Sequence, residues 1–319
     1  MRTAFLHTLV DLMRQHKDII TLTADMGFSV FEDVQKEFPN RFINTGVTEQ
    51  STIGLATGLS LSGYTVYVYA QAAFVTMRCF EQIRLDLAYN HVNVKVVGTA
   101  AGFSLNQLGV SHFALEDVGL MRLLPGITIF SPGDPYESEW ATREAYNIRG
   151  PVYIRITKSG SPIIHKGNPK LVVGKGLKIQ EGNDASIFVS GSLLPMAKDI
   201  VLTLQKKHKI HACLFSIPTI KPIDKNLIIS ECKRTGKIFT LEEHSIIGGL
   251  GSAVSEIIAE SNMRVQFVRL GSPDKFTNIT GSQDYLLAYN GLSTKKIVKE
   301  IMAFLKNEKK TTRFYSYLL

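Results

Sequence analysis

The chain has 319 residues, 45% hydrophobic and 20% charged, with a formal charge of +8. That length suits two ordinary domains, and the composition excludes a disordered or fibrous chain. The surplus Lys and Arg are scattered, and the densest runs (206–209 and 309–310) fall at predicted helix ends, where cations suit the dipole. They read as solvated surface, not as a nucleic-acid or membrane-binding face.

In chain order, residues 1–16 place Phe5, Leu6, Leu9 and Met13 on one helical face and leave Asp11 and Arg14 off it, the pattern of an amphipathic helix and not of a signal peptide. No apolar run reaches the ~18 residues that span a bilayer. Cys79, Cys213 and Cys232 have no metal or redox spacing, which fits reduced thiols in a cytoplasm. Residues 19–26 form a continuous apolar run ending at Asp25, the signature of a buried parallel strand, and a helix follows at 30–38.

Residues 42–63, FINTGVTEQSTIGLATGLSLSG, then supply a short strand, a break at Gly46 and a small-residue helix with Glu49 in its first turn. A carboxylate there is favoured by the helix dipole alone. Gly54, Ala56, Gly58 and Gly63 add the expectation that another backbone or a ring packs closely on this helix.

Strands at 65–70, 92–100, 128–132 and 151–157 alternate with helices at 74–89, 113–124 and 134–147. That alternation predicts an α/β fold, a mostly parallel sheet with helices on both faces and a crevice at the strands' carboxyl ends. Asp25–Ser29, Glu49 and Ala100–Ser104 all follow strand ends and converge there. Phe74 reads by its residues as the start of a helical core stripe with Met77, Phe80 and Ile83, while Arg84 and Asp86 are available for contacts between chains.

Residues 161–176 form a Gly-, Pro- and Lys-rich linker. Strands at 185–190, 211–216, 236–242 and 264–269, alternating with helices at 193–207, 224–234, 249–261 and 293–306, make a second, smaller α/β domain over 177–308, and 309–319 is a tail. GGLGS (248–252) imitates a dinucleotide loop, but Val254 stands at the third glycine position and no acid follows at the required distance. Its glycines are expected to serve a tight strand-to-helix turn.

The 42–63 stretch, together with YVYAQAAFVTMRCFEQIRLDLAY (67–89), VNVKVVGTAAGFS (92–104), GVSHFALEDVGLMRLLPG (109–126) and GPVYIRITKS (150–159), resembles the pyrimidine-binding domain of the transketolase family over residues 1–160. ASIFVSGS (185–192), FSIPTIKPID (215–224) and LEEHSIIGGLGSAVSEII (241–258) resemble that family's C-terminal domain. The resemblance implies thiamine diphosphate as cofactor, with Glu49 hydrogen-bonding its pyrimidine ring and so promoting formation of the carbon nucleophile. It implies that Phe74 stacks on that ring, that Asp25 borders the pocket, and that His112 reaches the donor sugar or the intermediate. Ser29, Arg155 and Lys158 fall at or near family positions that hold a substrate phosphate, where Lys acts as a point charge and Arg grips bidentately.

The chain also departs from the family. Ala100 replaces a histidine that contacts substrate, Leu108 in NQLG replaces an aspartate that reads acceptor hydroxyls, and Phe113 replaces a glutamine. The cofactor side is matched while the acceptor side is altered, so an unusual sugar or aldehyde acceptor is expected. Thiamine enzymes hold the diphosphate through Mg²⁺ or Ca²⁺ on a GDG…N run. No GDG occurs here, and the first strand begins at Ile19, which leaves no room upstream for a diphosphate domain.

The resemblance therefore implies the C-terminal subunit of a split transketolase. Its metal and diphosphate site would lie on an N-terminal partner subunit, in an assembly of two copies of each chain (α2β2). It would transfer a two-carbon ketol unit from a ketose phosphate to an aldose. The alternatives are the beta subunit of a 2-oxo-acid dehydrogenase decarboxylase component and a non-catalytic assembly subunit.

Overall fold

The computed structural model describes residues 1–27, 30–158, 160–167 and 169–306. α1 (Arg2–Gln15) buries Phe5, Leu9, Leu12 and Met13 against the first sheet, as its apolar face requires. β1 (Ile19–Thr23), α2 (Glu32–Glu37), β2 (Phe42–Asn44), α3 (Glu49–Leu61) and β3 (Thr65–Gln71) follow. A helical stretch, α4, then runs from Phe74 to Tyr89 and leads to β4 (Val94–Thr99). α5 (Asp117–Leu123), β5 (Thr128–Phe130), α6 (Pro135–Asn147) and β6 (Val152–Arg155) complete the first half. β1, β3, β4 and β6 are buried along their whole length, the reason their sequences are mainly apolar with no regular alternation.

The second half contains β7 (Leu177–Gln180), β8 (Ala185–Ser190), α7 (Leu194–His208), β9 (Ala212–Ser216), β10 (Thr219–Lys221), α8 (Lys225–Thr235), β11 (Lys237–Ser245), α9 (Leu250–Glu260), β12 (Gln266–Ser272), α10 (Gln283–Tyr289) and α11 (Thr294–Lys306). Two sheets result, in the orders β10-β5-β6-β4-β3-β1-β2 and β12-β11-β8-β9-β7. Pairing is parallel except for β10 with β5 and β7 with β9. The expected two-domain α/β architecture is present, and β10 shows that the halves are stitched together: it lies in the second half of the sequence and hydrogen-bonds along the edge of the first sheet. One apolar cluster runs between them, joining Val118, Met121 and Ile129 to Phe188, Phe215 and Ile220.

α4 differs from the expected regular helix. It is π-helical over Phe74–Arg78 and Ile83–Tyr89 and α-helical only over Phe80–Gln82. Widened turns bury Val75, Cys79, Ile83 and Leu87, four residues apart, and leave Met77 exposed. Of the expected stripe Phe74, Met77, Phe80 and Ile83, Ile83 alone is fully buried, so that stripe is not the core face. α3 differs in another way: it buries Glu49, Thr52, Ile53 and Ala56, but a Cβ on Gly54 or Gly58 would meet nothing within 4 Å. Among the described residues, none supplies the close neighbour expected on these glycines.

The GGLGS turn behaves as expected. The Glu242 carboxylate accepts from the Leu250 and Gly251 amides at 2.7 and 2.8 Å, capping α9, and a Cβ on Gly249 would lie 2.0 Å from that carboxylate.

Candidate active site

The carboxyl ends of the parallel strands carry most of the residues that the sequence singles out. At the end of β2, the Asn44 side-chain oxygen accepts from the amides of Asp25 (3.1 Å) and Gly46 (3.0 Å), while its Nδ2 donates to the Asp25 carboxylate at 3.3 Å. Asn44 thus ties the exit of β1 to the turn that launches α3. Gly46 has φ +72°, a conformation open to glycine at no cost, and Asp25 itself sits at φ +51°.

Glu49 begins α3 and is only 5% exposed. Its Oε2 accepts from the Arg78 guanidinium at 2.6 Å, and among the described residues Oε1 has no hydrogen-bond partner. The Arg78 guanidinium carbon also lies 4.4 Å from the centroid of the Phe74 ring, a cation–π contact. The Phe74 ring meets the His112 imidazole edge-on at 5.0 Å. His112 Nδ1 pairs with the Ser111 hydroxyl at 2.9 Å, and its backbone carbonyl accepts from Gln71 Nε2 at 3.1 Å. Glu49, Arg78, Phe74 and His112 therefore form one continuous row of contacts across the ends of β3 and the loop after β4.

That row fits the pyrimidine end of an aminopyrimidine cofactor. It offers a shielded carboxylate with one oxygen left for a ring nitrogen, an aromatic ring beside it, and glycines on α3 with open space outside. Arg78 and Gln71 are absent from the sequence reading. The signal for Arg78 was available, since it stands four residues after Phe74 and so about one helical turn away; nothing in the sequence marked Gln71, whose role is to hold a backbone carbonyl.

Arg155 requires correction. Its guanidinium is buried, with Nε donating to Asp117 at 2.8 Å and Nη2 donating to the carbonyls of Ala114 (3.0 Å) and Glu243 (2.9 Å). The Tyr153 hydroxyl donates to the same Asp117 oxygen at 2.7 Å. Burial, the largest influence, opposes the charge on Arg155, but Asp117 together with Tyr153 and Glu243 raises its pKa overall, and Nε and Nη2 are spent on partners inside the protein and not on a substrate phosphate. Lys158 is exposed three residues beyond, where a phosphate could reach it. Ser29 lies outside the described residues.

Of the departures from the family, Ala100 adopts φ +56° at the end of β4, and Leu108 is exposed in the following loop. Phe113 is buried, packing edge-on against Phe103 at 5.0 Å in the core of the second half. A glutamine would be poorly housed there.

The fold is a two-domain α/β architecture whose row of candidate site residues gathers at a strand-to-helix turn. The chain matches the family description "Transketolase, pyrimidine binding domain" over residues 1–162 and "Transketolase, C-terminal domain" over 174–297, and it belongs to the transketolase family. It is 34% identical to one of the subunits of the apulose-4-phosphate transketolase of Phocaeicola vulgatus, covering 96% of this chain and 97% of that one. It is 33% identical to a 6-deoxy-6-sulfo-D-fructose transketolase subunit of Clostridium sp. strain MSTE9, covering 94% and 92%. A solved structure titled "Split gene transketolase, inactive beta4 tetramer" superposes with a TM-score of 0.86 at 35% identity, over 96% of this chain and 97% of that one. No helix among the described residues is long and apolar enough to cross a membrane.

Proposed function

We propose that the chain is the C-terminal subunit of a split, thiamine-diphosphate-dependent transketolase, moving a two-carbon ketol unit from a ketose phosphate to an aldose acceptor. The observation that carries this reading is the Glu49 carboxylate, buried at the start of α3, anchored through one oxygen by Arg78 and open at the other. When bound, thiamine diphosphate supplies the nucleophilic carbon and the electron sink for breaking and making the carbon–carbon bond. Glu49 would hold a proton between Oε1 and the pyrimidine ring, Phe74 would flank that ring, and Asp25 would border its pocket. With Nδ1 engaged by Ser111, His112 keeps Nε2 for a substrate hydroxyl. Lys158 would attract the sugar phosphate as a point charge, and the Ser29 hydroxyl would donate a hydrogen bond to it.

Two relatives support a donor or acceptor outside the ordinary pentose phosphates, because their names carry apulose-4-phosphate and 6-deoxy-6-sulfo-D-fructose. The changed acceptor-side positions Ala100 and Leu108 point the same way. The neighbour described as an inactive tetramer of beta chains supports a requirement for a second type of chain. We assign the diphosphate and its Mg²⁺ or Ca²⁺ to that N-terminal partner, in an α2β2 assembly, with the open Gly54 and Gly58 face of α3 at the junction.

The test is an assay of the assembled complex for two-carbon transfer from ketose phosphates and, in parallel, for 2-oxo-acid decarboxylation. Transfer that falls at least ~10²-fold in Glu49→Gln supports the reading, since loss of a positioned acid or base usually costs that much. Decarboxylation in place of transfer would reassign the chain to a 2-oxo-acid dehydrogenase, and full transfer by Glu49→Gln would remove Glu49 from the chemistry.

A further inference from the structure

The C-terminal domain contributes no residue to the row of contacts at Glu49, yet one of its carboxylates reaches into the loop that carries His112. Glu243, on β11, is 1% exposed, and its two oxygens receive three donors. Oε1 accepts from the Phe103 amide at 2.8 Å and from Gln283 Nε2, at the start of α10, at 2.9 Å. Oε2 accepts from the Ser192 hydroxyl, in the short turn before α7. A carboxylate supplied with donors on both oxygens is held in a single orientation. A Cβ on Gly102, which has φ +64°, would lie 2.4 Å from the carboxyl carbon of Glu243, so the loop closes on this side chain with no space between them.

Gly102 exchanges both backbone hydrogen bonds with Ala114, at 3.0 and 3.1 Å, an isolated bridge that joins the start of the loop to its end. Ala114 is two residues beyond His112. The neighbours Phe113 and Leu115 are buried in the apolar cluster of the second half, with Val189, Leu193 and Leu241. The backbone carbonyl of Glu243 meanwhile accepts from Arg155, which also holds the Ala114 carbonyl.

We infer that Glu243 is a positioning residue: it pins the 101–104 turn and, through the Gly102–Ala114 bridge, fixes the place of His112 in the crevice. The C-terminal domain thereby sets the geometry of a site to which, among the described residues, it donates no side chain of the Glu49–His112 row. This inference rests on the reading of His112 as a substrate-contacting residue only for its effect on rate, not for its effect on geometry.

The test uses the full chain with its histidines labelled with ¹³C at Cε1, in which the His112 signal is assigned by its loss in H112Q. The same variants are then assayed with the partner subunit. Glu242 is the matched control, because it is equally buried one residue earlier on β11 but caps α9 instead. E243Q is expected to shift and broaden the His112 signal and to lower kcat at least tenfold with little change in cofactor binding, whereas E242Q leaves the signal in place. If E243Q does not fold, S192A and Q283A each remove one donor and are expected to shift the same signal less. An unmoved His112 signal in E243Q, or in both milder variants, overturns the inference whatever the activity, and so does an equal shift in E242Q. A moved signal with unchanged kcat upholds the positioning and removes His112 from the reaction.

Discussion

Replacing Arg155 by Met deletes a buried charge and keeps most of its apolar stem. Asp117 is fully buried, and one of its oxygens already lacks a partner among the described residues. Without Arg155 it retains the Tyr153 hydroxyl as its one side-chain hydrogen bond, with His244 Nε2 3.9 Å from its other oxygen, and the carbonyls of Ala114 and Glu243 lose a shared donor. Breaking a buried pair from one side costs about 3–5 kcal/mol, since the remaining charge stays desolvated. The Ala114 carbonyl keeps the Gly102 amide as a donor, so the lost carbonyl bonds add little to the broken pair, and we expect a loss of about 4 kcal/mol. Urea unfolding at neutral pH followed by circular dichroism measures it. Asp117→Asn in the Arg155→Met background should recover about half the loss, because a neutral amide is far cheaper to leave without a cation. A loss under about 1 kcal/mol for Arg155→Met, below the range of buried pairs, would refute the reasoning, as would a double variant no more stable than the single one.

Other consequences are open to measurement. Burial alone would lower the pKa of His165, but the hydrogen bond and charge of Glu137 (2.8 Å), joined by Asp134, carry it above its ordinary value. The folded chain therefore holds this proton more tightly than the unfolded one: the contribution is complete below the ordinary histidine value of about 6.5 and fades as pH rises through the higher folded value. The stability difference between wild type and His165→Asn, followed from pH 5.5 upward in urea, should shrink over that range; a flat difference would contradict it. Gly46→Ala meets only backbone strain, about 1–2 kcal/mol, since nothing lies within 4 Å, whereas Gly102→Ala adds a clash at 2.4 Å and should cost clearly more. Equal thermal shifts for the two would argue against the closeness of the Glu243 contact. Gly58→Gln should leave the free chain as stable or up to about 1 kcal/mol more stable, through helix propensity. It should still weaken assembly with the partner by sedimentation velocity, and unimpaired assembly would move the junction away from α3.

The sheets were legible because central parallel strands are buried on both faces and leave apolar runs, as at Val66–Ala70. β10 was not, because three residues carry no period and their partner β5 lies about 90 residues earlier. α4 was legible as a helix but not as a π-helix, since the spacing of four through Val75, Cys79, Ile83 and Leu87 also fits an ordinary amphipathic turn. In the site, Glu49, Phe74 and His112 were marked by motif and do come together. Arg155 misled because an arginine three residues from an exposed lysine at a strand end looks like a phosphate grip. Only the fold shows that Asp117, 38 positions away, has already claimed it. Glu243 was inside a quoted motif, but its target at Phe103 is 140 positions away, beyond any sequence pattern.

The central claim is that this chain carries one half of a thiamine diphosphate site. Its most direct test is calorimetric titration of thiamine diphosphate with Mg²⁺ into the chain alone and into the chain co-expressed with its diphosphate-binding partner. The account predicts no measurable binding to the chain alone and tight, saturable binding to the complex, abolished or sharply weakened in Glu49→Gln. Tight binding to the chain alone, or binding to the complex that is indifferent to Glu49, would contradict it.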